Sequence, residues 1–203
     1  ESHKKLRGVV DETADEFICP ITFALPLDPV TAMDGNVYER AAIEEWIAKG
    51  SGKSPLTNLP MARTLLPAPR VKNAIERMVK SGTLTGDKAE AWEETLAQQE
   101  LVRETRESAE GGCGHSMFLL GDWYTGGTNG LPEDEKEGAV WFQRSADAGD
   151  NDGLSRLGDC CYYGQGVTMN KELGMVYIAL AAERGSPFAC YCMAEFFRYG
   201  DPL

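Results

Sequence analysis

Phe17-Ile18-Cys19-Pro20-Ile21-Thr22, Asp28-Pro29-Val30, Asp34-Gly35, Tyr38-Glu39-Arg40 and Ser54-Pro55-Leu56-Thr57 occur in this order near the start of the 203-residue chain. The Asp-Gly pair sits between Val30-Thr31-Ala32-Met33 and Asn36-Val37-Tyr38. It marks a β-hairpin, because the turn needs a residue that accepts positive φ. Arg40 to Lys49 carries Ile43, Trp46 and Ile47 at helical spacing, and Gly50 suits the C-terminal cap. Pro69 fits the first turn of a second helix, with Val71, Ile75, Met78 and Val79 on one face and Gly82 as its stop. A domain this short hides only ~60% of its unfolded surface. Tyr38, Trp46 and the aliphatics therefore have to carry the packing.

These motifs, with Leu65-Leu66-Pro67 closing them, resemble the U-box family, which keeps the RING backbone without its zinc. A RING module carries Cys at the places held here by Cys19, Thr22, Ser54 and Thr57. One thiol and three hydroxyls do not make a tetrahedral zinc site. The resemblance implies an α+β, metal-free, RING-like fold held by hydrogen bonds and packing. It also implies a docking surface for a ubiquitin-conjugating enzyme. Ile21 lies in its first loop, Trp46 on its helix and Pro55 in its second loop, with Ile18 at the border. Two positions depart from the family pattern. Asn58 stands where active members often have Arg or Lys bridging conjugating enzyme and ubiquitin, and Ala68 where an Asn usually ties the loops together.

The six cysteines form no C-x-x-C pair. They read as buried thiols in a reducing, cytosolic or nuclear setting rather than as a disulfide framework. No run of 18 apolar residues and no N-terminal signal pattern occur, so no membrane partner is expected. Residues 15–80 hold eight acids and eight bases, whereas residues 81–203 hold 21 acids and nine bases. The formal charge of −12 thus resides in the second half, which lacks the basic footprint of nucleic-acid binding.

That half repeats itself. Leu120-Gly121-Asp122-Trp123-Tyr124 recurs as Leu157-Gly158-Asp159-Cys160-Cys161-Tyr162, 37 residues on. Gly138-Ala139-Val140-Trp141-Phe142 recurs as Gly174-Met175-Val176-Tyr177-Ile178, and Ser145-Ala146-Asp147-Ala148-Gly149 as Ala181-Ala182-Glu183-Arg184-Gly185, both 36 residues on. A third copy begins at Ala189. Two helical patterns per period of this length indicate an all-α helical-hairpin solenoid. Small residues at Gly121, Gly158 and Ala194 are expected to let helices approach, and Trp123, Trp141 and Tyr177 to fill the space between hairpins. With Gly164-Gln165-Gly166-Val167 as its internal loop, the unit resembles the Sel-like repeats, relatives of the tetratricopeptide repeat. The resemblance implies protein–protein scaffolding, and two and a half copies without a polar cap suggest an array that continues past Leu203.

Between the halves, Asp87 to Ala109 reads as one helix with a thin stripe of Trp92, Leu96 and Val102, a spacer packed on the first repeat. The expected division is an N-terminal segment 1–14, a U-box 15–82, a linker helix 83–108 and repeats 109–203. Other signals are weaker. Gly50-Ser51-Gly52-Lys53-Ser54 echoes a P-loop, but position 47 is Ile where the motif needs Gly. Cys160-Cys161 and Cys190-x-Cys192 lie on expected helices, where close neighbours diverge, and read as core thiols rather than metal ligands. His3 and His115 read as surface residues. Cys19 has no basic or His neighbour in sequence to activate it, so it reads as structural.

The resemblances together imply a ubiquitin transferase without a covalent ligase intermediate or a cofactor. Its expected partners are a conjugating enzyme, ubiquitin, and a substrate or adaptor at the repeats. The alternative, from another class, is a non-catalytic scaffold with a degenerate U-box.

Overall fold

The computed structural model describes residues 16–50 and 52–199. The chain divides into two compact units, with the boundary after Leu96.

The first unit is built on a three-stranded antiparallel sheet ordered β2-β1-β3, from β1 (Pro29–Ala32), β2 (Val37–Glu39) and β3 (Leu65–Pro67). Val30 stands opposite Tyr38 on one side and Pro67 on the other. The hairpin closes through Gly35 N–H to Ala32 O and Ala32 N–H to Asn36 O. Of its loop residues only Gly35 has positive φ, at 81°. The loop is thus a three-residue turn ending on a left-handed glycine, a common hairpin solution. Helices α1 (Arg40–Ala48) and α2 (Pro69–Lys80) start and stop as their sequence signals require.

Two apolar clusters fill this unit. Cys19, Val30, Ala32, Tyr38 and Ile43 form one, with Ile21, Ile47, Met61 and Leu65 against it. Leu25, Ile75, Val79, Leu84, Ala89 and Trp92 form the other. Trp92 and Ala89 belong to α3 (Asp87–Glu110), so the first turns of that helix are core of the first unit. The Trp92 indole N–H donates to Pro26 O at 3.2 Å. The stripe read as a spacer against the repeats is therefore divided. Trp92 and Leu96 pack in the first unit, while Val102 is buried in the part of α3 that belongs to the second, where Ala109 also packs with Leu120 and Trp141.

The second unit consists of the rest of α3 and hairpins α4 (Gly114–Gly126) with α5 (Glu135–Asp147) and α6 (Asn151–Tyr163) with α7 (Lys171–Glu183), followed by α8 (Pro187–Tyr199). The copies share their caps. Asp134 and Asn170 cap α5 and α7 with side-chain oxygens, and Gly127 and Gly164 end α4 and α6 in the left-handed region. The α4–α5 loop is one residue longer than the α6–α7 loop, which accounts for the shift of 37 against 36. A Cβ on Gly121 would lie 2.6 Å from the Phe142 ring, and one on Gly158 2.6 Å from Ile178. Only glycine allows helices this close. Gly166 combines φ of 69° with an approach to the Glu135 carbonyl that excludes any side chain. Ala194 is exposed rather than seated in such a contact, because α8 has no later described helix against it.

Cys19, Cys160 and Cys161 are buried, as expected, but Cys113 and Cys190 are exposed and Cys192 is half-buried. Cys113 stands just before α4, and Cys190 lies on the face of α8 turned from its neighbours. His115 is exposed and His3 lies outside the described residues. No helix among the described residues is long and apolar enough to cross a membrane.

Candidate functional site

The two loops that hold the zinc-replacing positions fold alike. In the first, Cys19 N–H donates to Ala24 O at 2.9 Å and Phe23 N–H to Cys19 O at 2.8 Å. In the second, Ser54 N–H donates to Leu59 O at 2.8 Å and Asn58 N–H to Ser54 O at 3.0 Å. Thr22 Oγ1 accepts from Ala24 N–H, and Thr57 Oγ1 from Leu59 N–H, each at 3.4 Å. Phe23 and Asn58 both have φ of 57°. Each loop is therefore a tight knuckle ending on a left-handed residue, and Phe23 is the counterpart of Asn58.

Ser54, only 2% exposed, joins the second knuckle to the hairpin. Its hydroxyl donates to Asp34 Oδ2 at 2.5 Å and accepts from the Leu56 and Thr57 amides at 3.2 and 3.0 Å. Tyr38, fully buried, donates its hydroxyl to the same Asp34 oxygen at 2.8 Å. Asn36 N–H donates to Asp34 Oδ1 at 3.0 Å. One carboxylate thus collects three donors and ties loop, strand and turn together. The Ser54 oxygen is fully committed and Cys19 is the one thiol, so the four positions do not fit a zinc ion. Asp34 was legible only as a turn residue. Its side chain is central because the three-residue turn leaves it pointing inward.

Burial pushes the Asp34 carboxyl up, but the hydrogen bonds from Ser54, Asn36 and Tyr38 outweigh it and hold the group below the usual carboxylate range. Burial, reinforced by the bond to Asp34, raises Tyr38 to about 12. A depressed carboxylate stabilises the fold above its unfolded pKa, roughly 4, and loses that contribution as pH falls through the folded value. A raised phenol contributes below its unfolded pKa, roughly 10, and loses it as pH rises through the folded value. Urea titrations should therefore give a plateau between about pH 5 and 9 with a fall on both sides. The acid-side fall should be smaller in Asp34→Asn, and an unchanged acid limb in that variant would contradict the hub.

The residues assigned to docking are placed as follows. Ile21 and Pro55 are half-buried on the two knuckles. Trp46, 36% exposed on α1, donates its indole N–H to Lys53 O at 2.9 Å, so it holds the second knuckle while presenting a ring face. Ile18 is drawn the other way, against the cluster containing Ile75 and Trp92. Asn58 is exposed at the tip of its knuckle. Beside these, the structure exposes apolar residues not singled out from sequence: Phe23 at 77%, Leu56 at 56% and Leu59 at 65%. Phe23 is the most telling, since a bulky residue held in the left-handed region and given to solvent is a costly arrangement. The Ala68 methyl makes no cap hydrogen bond, and Trp46 and Ser54 secure the second knuckle instead.

The U-box domain family matches residues 13–83, and the Sel1 repeat matches residues 114–150 and 151–186. The chain therefore carries a U-box followed by two Sel1 repeats. A zebrafish (Danio rerio) relative, "WD repeat, SAM and U-box domain-containing protein 1", is 51% identical over 74 residues, covering 36% of this chain and 15% of that protein. "Putative E3 ubiquitin-protein ligase LIN-1" of Lotus japonicus is 38% identical over 66 residues, covering 32% of this chain and 4% of that protein. The chain thus spans a small part of the curated relatives it matches. Among solved structures, the Sel1 repeat protein from Oxalobacter formigenes covers 61% of this chain and 84% of its own, with 26% identity and a TM-score of 0.42.

Proposed function

We propose that the chain is a ubiquitin-protein ligase that docks a charged conjugating enzyme on its U-box and recruits substrate or adaptor through its repeats. The pair of matching knuckles with an apolar, partly exposed rim supports this reading most. Ile21, Phe23, Trp46 and Pro55 form the docking surface, with Ile18 supporting the first knuckle from inside. Transient interfaces of this kind often bury less than ~1,200 Å². The chemistry belongs to the partners. A substrate amine attacks the carbonyl of the ubiquitin thioester, the new amide forms, and the conjugating enzyme's thiolate leaves. The ligase contributes proximity and orientation rather than acid–base catalysis.

Asn58 sets the strength of that contribution. A cation at this position can bond conjugating enzyme and ubiquitin together, and charge-assisted bonds are roughly twice as strong as neutral ones. Single-turnover discharge should therefore be slow but real in the wild type and about tenfold faster in Asn58→Arg, a change of ~1.4 kcal/mol. Docking of the uncharged conjugating enzyme should hardly change. Arg is less at ease than Asn at φ of 57°, so the variant should also unfold more easily, by roughly 1 kcal/mol. Faster discharge with lower stability separates the bridge from a general effect on the fold. The uncharged Asn58 also favours the second reading, a scaffold that docks a partner without activating it. That reading holds if wild type and Asn58→Arg both leave discharge at the unassisted rate.

A further inference from the structure

The first helices of the three copies, α4, α6 and α8, border a cavity of about 400 Å³ lined by Phe118, Asp122, Asp152, Arg156, Pro187 and Phe188. Its size lies within the usual range for ligand pockets. The walls are aromatic and the polar groups are unequally satisfied. Arg156 Nη2 pairs with Asp122 at 2.6 Å, and Nη1 lies 3.9 Å from Asp159. The guanidinium also sits 5.3 Å from the Phe188 ring and 5.5 Å from that of Phe142. Its charge is paired and two aromatic rings lie near it. Asp152 is different. Its Oδ1 accepts from the Ser186 hydroxyl at 2.7 Å, and no cation among the described residues pairs with it. Asp122 and Asp152 against one guanidinium leave the lining negative, within a half of the chain that has 21 acids and nine bases.

We infer that this cavity takes a lysine side chain of a partner segment, with apolar residues beside it. The lysine methylenes would lie along Phe118 and Phe188, and the ammonium would meet Asp152 Oδ2. Lysine fits better than arginine. With Oδ1 committed to Ser186, Asp152 offers one oxygen to a compact charge and no bidentate face for a fork. The charged pair in the cavity belongs to the second copy and does not recur in the other two. The position of Arg156 is held by Leu119 in the first copy and Cys192 in the third, and that of Asp152 by His115 and Phe188.

This inference rests on the reading of the repeats as the recruiting half. Fluorescence anisotropy of the full chain with fluorescein-labelled Gly-Ala-Leu-Lys-Phe-Ala-Gly tests it, beside peptides with Gln or Glu in place of Lys. The Lys peptide should bind saturably and lose affinity as salt rises. The Gln peptide should bind at least tenfold more weakly and the Glu peptide not at all. Asp152→Asn, which still accepts from Ser186, should weaken the Lys peptide at least tenfold without altering the thermal unfolding midpoint. Equal binding of the three peptides, no saturable binding at millimolar concentration, or an indifferent Asp152→Asn would each overturn it. A chain that transfers ubiquitin but ignores the Lys peptide has lost the pocket alone. One that binds the peptide but never discharges a conjugating enzyme has lost the ligase reading alone.

Discussion

Asp34→Ala is expected to destabilise the first unit by about 3 kcal/mol or more, since unmet buried donors cost ~1–3 kcal/mol each. The Ser54 and Tyr38 hydroxyls both donate to the carboxylate oxygen that the substitution removes, and both residues are buried. Such a loss is a large share of the 5–15 kcal/mol typical of a whole domain, and this unit is small. Asp34→Asn, with one oxygen and no charge, should fall between wild type and Asp34→Ala. Urea unfolding followed by far-UV circular dichroism measures both. A loss below about 1 kcal/mol in Asp34→Ala would mean that packing alone holds the second knuckle.

Ile21→Ala and Pro55→Ala are expected to slow ubiquitin discharge by about a hundredfold, or ~2.7 kcal/mol, the size of an interface hot spot. Both residues are half-buried on loops, so each should lower stability by less than about 1.5 kcal/mol. Trp46→Ala is a poorer test, although its effect on discharge should be as large. It removes the bond to Lys53 O together with the ring, so the knuckle and the docking face are lost together. Undiminished discharge in both loop variants, with binding of the conjugating enzyme intact, would contradict the assigned surface.

Most of the fold was legible because its signals are local. The Asp34-Gly35 turn, the helical spacing in α1 and α2, and the two glycine-marked hairpins each lie within a short stretch. The site was less legible for the opposite reason. Ser54 and Asp34 are 20 residues apart, and a hydrogen bond across that distance leaves no periodic trace. The second knuckle was visible through Pro55 and the hydroxyls around it. Its equivalence to the first depends on backbone bonds and on φ at Phe23 and Asn58, which residue identity does not reveal. Phe23 belongs to no sequence motif and is exposed because the knuckle turns it outward. Ile18, beside Cys19, looks like part of the rim, yet it faces the cluster that Trp92 completes from α3. Strand β3 carries no turn signal of its own and forms only because β1 offers its free edge.

If the Asp34–Ser54–Tyr38 hub replaces zinc in a U-box that supports ubiquitin transfer, ubiquitin-charged conjugating enzymes should discharge onto free lysine in its presence without metal. The purified full chain is assayed against a panel of conjugating enzymes, before and after a zinc-selective chelator, with its zinc content measured on the same sample. Accelerated discharge by at least one enzyme is expected, unchanged by the chelator, from protein carrying no stoichiometric zinc. Stoichiometric zinc together with chelator-sensitive discharge, or no acceleration with any enzyme by a folded chain, would contradict it.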